Sequence, residues 1–331
     1  MLRTTNVRTM EENMNKRTFL ALLTGIVPTM LAADLAFAQA YPERPVRIIT
    51  SAVGGGADRM SRILENGVSG ALGQPIVIEN RTSSGAVEAV ANADPDGYSV
   101  LVTGGSFWVG PLMRDASYDP VEDFVPVSLL SQSPQVIVVT PSLPVNTVEE
   151  LIALAKEKPG ELNYGSGSPG GNTHLAGELF KSMTGTDIVN IPFQNPANQM
   201  QALIAGDIHL AFDSVSSVAD QVKAGTLRAI AVTSAKPSTL MPDLPAVADT
   251  VPGYEMVSRR AMFAPAGTPE EIVARLNQEI AQYLGTDEAK QVILAQGEEA
   301  IGGSPGELEM AVAEEMERLG KIIETLGLRE N

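Results

Sequence analysis

The chain has 331 residues, 44% of them hydrophobic and 19% charged, which suits a folded protein with one large or two separate cores. Its formal charge of −17 argues against nucleic acid and anionic membranes as partners, because both require clustered Lys and Arg. Cys is absent and only His174 and His209 offer imidazole, so disulfides, thiolate catalysis, cofactor clusters and a transition-metal site are not expected.

Lys16 and Arg17 precede the apolar run "FLALLTGIVPTML", and small residues then frame "AFAQA". This pattern predicts a signal peptide over residues 1–40, cleaved near 38–40, with an uncleaved anchor as the alternative. The apolar run is short for a bilayer span, and without a following Cys no lipid can be attached there. Met1, Met10 and Met14 serve equally as a start. A periplasmic, soluble, monomeric product is the expectation.

Beyond residue 40, strand and helix patterns alternate. Short apolar runs predict strands at Val46–Thr50, Ile76–Asn80, Tyr98–Val102, Gln135–Thr140, Ile188–Phe193, Ile208–Asp213 and Leu227–Thr233. Helical spacing falls between Met60 and Ala71, then near 147–158, 173–184, 196–205 and 215–224. The last third is helix-rich, at Pro269–Leu284, Glu288–Gln296 and Pro305–Leu326. Such alternation predicts an α/β fold of mostly parallel sheets flanked by helices. The apolar, proline-bounded stretches "SPQVIVVTPSLPV" and "RRAMFAPAGTP" look like two hinge strands crossing between lobes. Lobe 1 would then be discontinuous, 41–136 plus 258–331, and lobe 2 would be 137–257.

Three glycine-rich loops each follow a strand and lead into a helix. They are "SAVGGGADR" with Gly54, Gly55 and Gly56, "TGGSF" from Thr103, and "GSGSPGGNTH" from Gly165. The third satisfies G-x-G-x-x-G with Asp187 about twenty residues on, a weak dinucleotide signal. An exported protein has no free NAD, no G-x-x-x-x-G-K-[ST] is present, and Pro169 removes a donor where a pyrophosphate would sit. The free N–H groups at helix starts instead suit a small carboxylate. Asp58 would complement the dipole of its helix, Asp213 either borders the cleft or caps its strand, and His174 either faces the cleft or packs locally. Ser166 and Ser168 lack a G-x-S-x-G elbow, so an exported hydrolase is the weaker alternative.

Taken in order, "YPERPVRII", "GGGADRMSRIL", "LGQPIVIENR", "ADPDGYSVLV", "LPVNTVEELIALAKEKPGELNYGSGSPGGNTHLAGELF", "AGDIHLAFD", "AGTLRAIAVTS" and "FAPAGTPEEIVARLN" resemble the Bug family. These are the extracytoplasmic substrate-binding proteins of tripartite tricarboxylate transporters, and the likeness runs from about Tyr41 to Leu326. It implies a two-lobed periplasmic binding protein of type II, the Venus-flytrap architecture, that closes on a carboxylate without catalysis, cofactor or metal. Its implied partners are a large and a small integral membrane subunit; a receptor that signals to a membrane sensor is a separate alternative. The ligand-holding positions it implies are Val53, Gly54, Gly55, Gly56, Ala57 and Asp58; Thr103, Gly104, Gly105 and Ser106; Ser166, Gly167, Ser168 and Thr173; Phe193 and Gln194; and Asp213. The chain departs from the family at "RTSSGA", at "IPFQNP", and at Arg259 and Arg260, where the family commonly has Trp. Both arginines could pair with a second ligand carboxylate or form salt bridges with nearby acids.

Overall fold

Five residues, Val46–Thr50 (β1), run almost wholly buried between two parallel neighbours, Ile76–Asn80 (β2) and Ser99–Gly104 (β3). A strand covered on both faces needs a near-continuous apolar run, and "VRIIT" supplies it. The computed structural model describes residues 41–329, so the expected signal peptide, its cleavage region and the choice of start lie outside the described residues. From Arg44 onward the chain clusters as one compact unit.

Between these strands run Gly56–Leu72 (α1) and Ser83–Ala91 (α2), and Ser106–Met113 (α3) follows β3. The long strand Phe124–Val139 (β4) then extends through sixteen residues. Its residues 124–134 pair antiparallel with Val257–Pro265 (β9), whereas residues 135–139 pair antiparallel with Leu210–Ser214 (β7). β4 is therefore the member common to both halves of the sheet, whose order is β2-β1-β3-β9-β4-β7, followed by Asn163–Ser166 (β5) and Val189–Pro192 (β6). Arg228–Val232 (β8) and Glu299–Gly303 (β10) also lie antiparallel on β4.

The outer strands are parallel, as the alternation of elements predicts, and the central pairings around β4 and β9 are antiparallel. The reason is that β4 and β9 are not crossover strands of a βαβ unit. They are the segments that leave one half and return to it, so they pass in opposite directions. The sequence reading placed a strand only at 135–140 within β4, because Ser128, Ser131, Gln132 and Ser133 interrupt the apolar run. Ser128, Ser131 and Ser133 are bonded to the β10 region, Ser128 to the Gly303 carbonyl, Ser131 to Glu298 and Ser133 to the Gly297 carbonyl.

The second half carries Val148–Glu157 (α4), Asn172–Thr184 (α5), Pro196–Ala205 (α6) and Val215–Lys223 (α7). Glu270–Leu284 (α8), Asp287–Leu294 (α9) and Pro305–Thr325 (α10) complete the chain. α10 begins at a capping box in which Ser304 and Glu307 exchange hydrogen bonds with each other's backbone N–H.

An aromatic cluster fixes α3. Phe107 stacks on Tyr118 at 5.3 Å and meets Phe124 edge-on at 4.8 Å, while Trp108 is fully buried against Phe263. These rings hold the first turn of α3 against β4 and β9, so the preceding glycines cannot drift.

α5 is held by a close approach. A methyl at Gly177 would meet the Tyr164 ring at 2.3 Å, and that buried tyrosine is pinned through its hydroxyl to Glu178 at 2.8 Å. Gly177→Ala should therefore lower stability in a urea melt by about 1–3 kcal/mol through overpacking. Gly70→Ala, where no atom lies within 4 Å of the added carbon, should instead raise it by about 0.5–1 kcal/mol.

Candidate functional site

A helix start exposes backbone N–H groups that lack an intrahelical partner, and most proteins cover them with a Ser, Thr, Asn or Asp side chain. This chain does so at α2, α4, α6, α9 and α10, capped by Thr82, Thr147, Asn195, Thr286 and Ser304. At α1, α3 and α5 the N-cap is glycine, Gly55, Gly105 and Gly171, and no side chain caps the amides. Ser214 at α7 and Pro269 at α8 also give no side-chain cap, but it is the three glycine-started helices that converge on one cavity of about 490 Å³.

The first wall consists of Ser51, Gly56, Ala57, Gly104, Gly105 and Ser106. The second consists of Gly170, Gly171 and Asn172, while Ser258 from β9 belongs to the first. Two contacts join the walls. Asn172 Nδ2 donates to Ser258 Oγ at 2.7 Å, and the Met113 methyl group lies where a Gly170 side chain would begin. Gly170 also has a φ of +74°, which glycine adopts without strain.

Arg260 lines the cavity with its guanidinium pressed on two of the glycine loops. A methyl on Gly56 would lie 2.3 Å from its Nη2, and one on Gly104 would lie 3.1 Å from its Nη1. Those glycines leave room for a cation, in addition to freeing the backbone. Nη1 donates to the Arg259 carbonyl at 3.1 Å, and Nη2 stands 3.4 Å from Glu298.

Arg259 is different. It is buried, with Nη2 2.6 Å from Glu255 and Nη1 2.7 Å from Glu315, and Arg318 stands 3.6 Å from Glu255. Of the two alternatives left open by the sequence, Arg259 takes the salt bridges. Glu315 reaches the cavity wall. Burial raises its pKa by more than Arg259 and Arg318 lower it, and the net direction is upward.

The other expected residues sit around this centre. Val53 and Gly54 are solvent-exposed and Gly55 is partly covered. Asp58 lies beneath the first loop, accepting from Gly54 N–H at 2.9 Å, from Asn80 at 2.9 Å and from Arg62. Burial raises its pKa, but these donors outweigh that effect and hold it below the ordinary 3.8. Thr103 faces an adjoining pocket of about 250 Å³.

Ser166, Gly167, Thr173, Phe193 and Asp213 gather at the ends of β5, β6 and β7. Ser166 Oγ donates to Asn190, Gly167 N–H to Thr173 Oγ1 and Phe193 N–H to the Ser166 carbonyl. Asp213 accepts from Ser214 N–H at 2.8 Å, and burial raises its pKa. Ser168 and Gln194 are exposed. None of these seven residues is among those lining the 490 Å³ cavity. His174 packs locally, its Nδ1 accepting from Gly170 N–H at 3.0 Å.

The sequence reading did not single out Arg114, Met113, Ser258, Glu315 or Gly170 as cavity residues. Arg114 and Glu315 sit in no motif, and only the packing of α3 and α10 brings them to the wall. Among the described residues no group of three or more His, Cys, Asp or Glu is placed to hold a metal ion, and no helix is long and apolar enough to cross a membrane.

The model of the tripartite tricarboxylate transporter family receptor matches residues 60–328. The chain belongs to this family. It is 32% identical over 326 residues to protein BugT of Bordetella pertussis, covering 96% of this chain and 99% of that one. Among solved structures it resembles Rpa4515 of R. palustris with adipate, at 36% identity and TM-score 0.65, covering 87% of this chain and 98% of that one. It also resembles a TctC solute-binding protein from Polaromonas without ligand, at 25% identity and TM-score 0.80, covering 86% and 99%. The fold is that of the two-lobed periplasmic binding proteins.

Two consequences can be measured. Arg259→Leu strands the buried Glu315 and leaves Glu255 only Arg318, and should cost about 3–5 kcal/mol in a chemical melt. For Asp58 the folded pKa is depressed, so its stabilisation is present above the ordinary 3.8 and is lost as pH falls through the folded value. Asp58→Asn should remove that part of the acid-induced loss, read by comparing melts at pH 7 and pH 3.

Proposed function

We propose that the protein is a periplasmic receptor that captures a small carboxylate and delivers it to the membrane subunits, one large and one small, of a tripartite tricarboxylate transporter. The observation that carries this reading is the convergence of three uncapped, glycine-started helices and one arginine on a single cavity. Helix starts hold small anions through backbone N–H groups and the positive dipole end. Gly56, Ala57, Gly104, Gly105 and Ser106 supply one set of donors, and Gly171 and Asn172 supply the other. The 166–168 segment, Thr173 and the 193–194 turn act by shaping the loop that presents Gly170–Asn172.

The lobes are 41–136 with 258–331, and 137–257, with β4 and β9 as the hinge strands. Closure brings the two walls onto the ligand and sequesters it from water. The net charge does not forbid an anionic ligand. At physiological salt the screening length is about 8 Å, so acids spread over the surface are felt weakly inside, while donors in contact with the ligand are not screened.

Binding proceeds without chemistry in this reading. Ser51, Ser106 and Ser258 line the cavity with no imidazole beside them, and the nearby His174 has its Nδ1 committed to Gly170. The kinship with an adipate-bound structure at 36% identity supports an organic acid as ligand.

A thermal-shift screen of carboxylic acids tests the proposal, with the fluorescence of the single Trp108 as a second readout. An acid at about 100 times its Kd should stabilise the protein by about 2.7 kcal/mol. Shifts from amines or neutral sugars, with every acid silent, would overturn it.

A further inference from the structure

Two arginines mark opposite ends of α3 on the wall of the same cavity. Arg260 presses on Gly104 and Gly56, at the start of α3 and of α1. Arg114 is the C-cap residue of α3, where the negative end of the helix dipole favours a cation. Eight residues rising 1.5 Å each put these ends about 12 Å apart, and Val109, Gly110 and Met113 line the cavity between them.

The local charge is unbalanced. Among the described residues Glu315 is the one carboxylate lining this cavity, and it is engaged by Arg259 at 2.7 Å. Asp115, beside Arg114, is engaged by Arg329 at 2.9 Å. Among the described residues no carboxylate lies within salt-bridge distance of Arg114. Arg260 sits where two helix starts are already positive, and Glu298 offsets it only at 3.4 Å. A cation placed there raises the local potential until an anion arrives.

A cation at each end and a stretch of apolar wall between them match a linear dicarboxylate: two anionic ends joined by methylene groups. We propose that Arg260 and Arg114 select such a ligand over a monocarboxylate and over the shortest diacids. One carboxylate sits between Arg260 and the helix starts, the methylene chain lies along α3, and the second carboxylate pairs with Arg114. This rests on the carboxylate-receptor reading and adds the ligand's second charge, its length and the residue that reads it. Arg114 also borders the 250 Å³ pocket that holds Thr103, Ser106 and Ser117, so it has room to follow the distal carboxylate.

The test titrates the purified protein and its Arg114→Gln and Arg260→Gln variants with adipate, hexanoate and malonate, followed by calorimetry or Trp108 fluorescence. Wild type should bind adipate at least about tenfold tighter than hexanoate, the value of one charge-assisted contact. Malonate should bind no better than hexanoate. Arg114→Gln should bring the adipate-to-hexanoate ratio close to one, whereas Arg260→Gln should weaken both acids together. A melting curve on each variant separates lost binding from lost fold.

Equal wild-type affinity for adipate and hexanoate overturns the inference and leaves the receptor reading standing. So does a ratio that survives Arg114→Gln unchanged. Failure of all three acids, alongside binding of a non-acid, overturns both.

Discussion

Backbone amides left without a side-chain cap at the starts of α1, α3 and α5 are the constraint around which this structure is arranged. Each helix could have been closed by a Ser or Thr at its N-cap, as α2, α4, α9 and α10 are, at a gain of about 0.5–2 kcal/mol apiece. Glycine stands there instead, at Gly55, Gly105 and Gly171. The consequence is a cluster of donors that water or a ligand must satisfy. Arg260 sharpens it, because a guanidinium wedged against Gly56 and Gly104 adds positive charge where two helix dipoles already point.

Such an arrangement holds only if its surroundings are rigid. The rings of Phe107, Tyr118, Phe124 and Phe263 clamp the first turn of α3, and Asp58 ties the first loop down through Gly54, Asn80 and Arg62. Beneath the cavity, Arg259, Glu255, Glu315 and Arg318 form a network that fixes β9 against α10. Buried ion pairs of this kind contribute little net stability, but removing one member leaves an uncompensated charge. Adjacent arginines on β9 thus have opposite duties. Side chains alternate across a strand, so Arg259 faces the acids of α10 while Arg260 faces the cavity.

The acidic surface and the anion-seeking cavity are compatible because electrostatics inside the cleft are local. Nearby dipoles and one or two guanidinium groups act at contact distance, where salt screens them least. Asn172 to Ser258, and Met113 against Gly170, are the contacts that join the two walls of this cleft.

Periodicity and turn chemistry made most elements legible in the sequence. The parallel outer strands, the amphipathic helices and the three glycine loops all follow from residues close together in the chain, where sterics and hydrophobic spacing act. β4 was only partly legible, because its serines are bonded by residues in and just before β10, about 165–175 positions away. The family was legible too, since the order of its motifs is a property of the chain itself. What the tertiary structure alone decided is which amides share a cavity, that Gly170–Asn172 rather than Ser166–Ser168 reach its wall, that Arg259 is spent on Glu315, and that Arg114 and Arg260 line the same cavity. Each of these depends on the packing of elements far apart in sequence, and no local rule of spacing or propensity carries that distance.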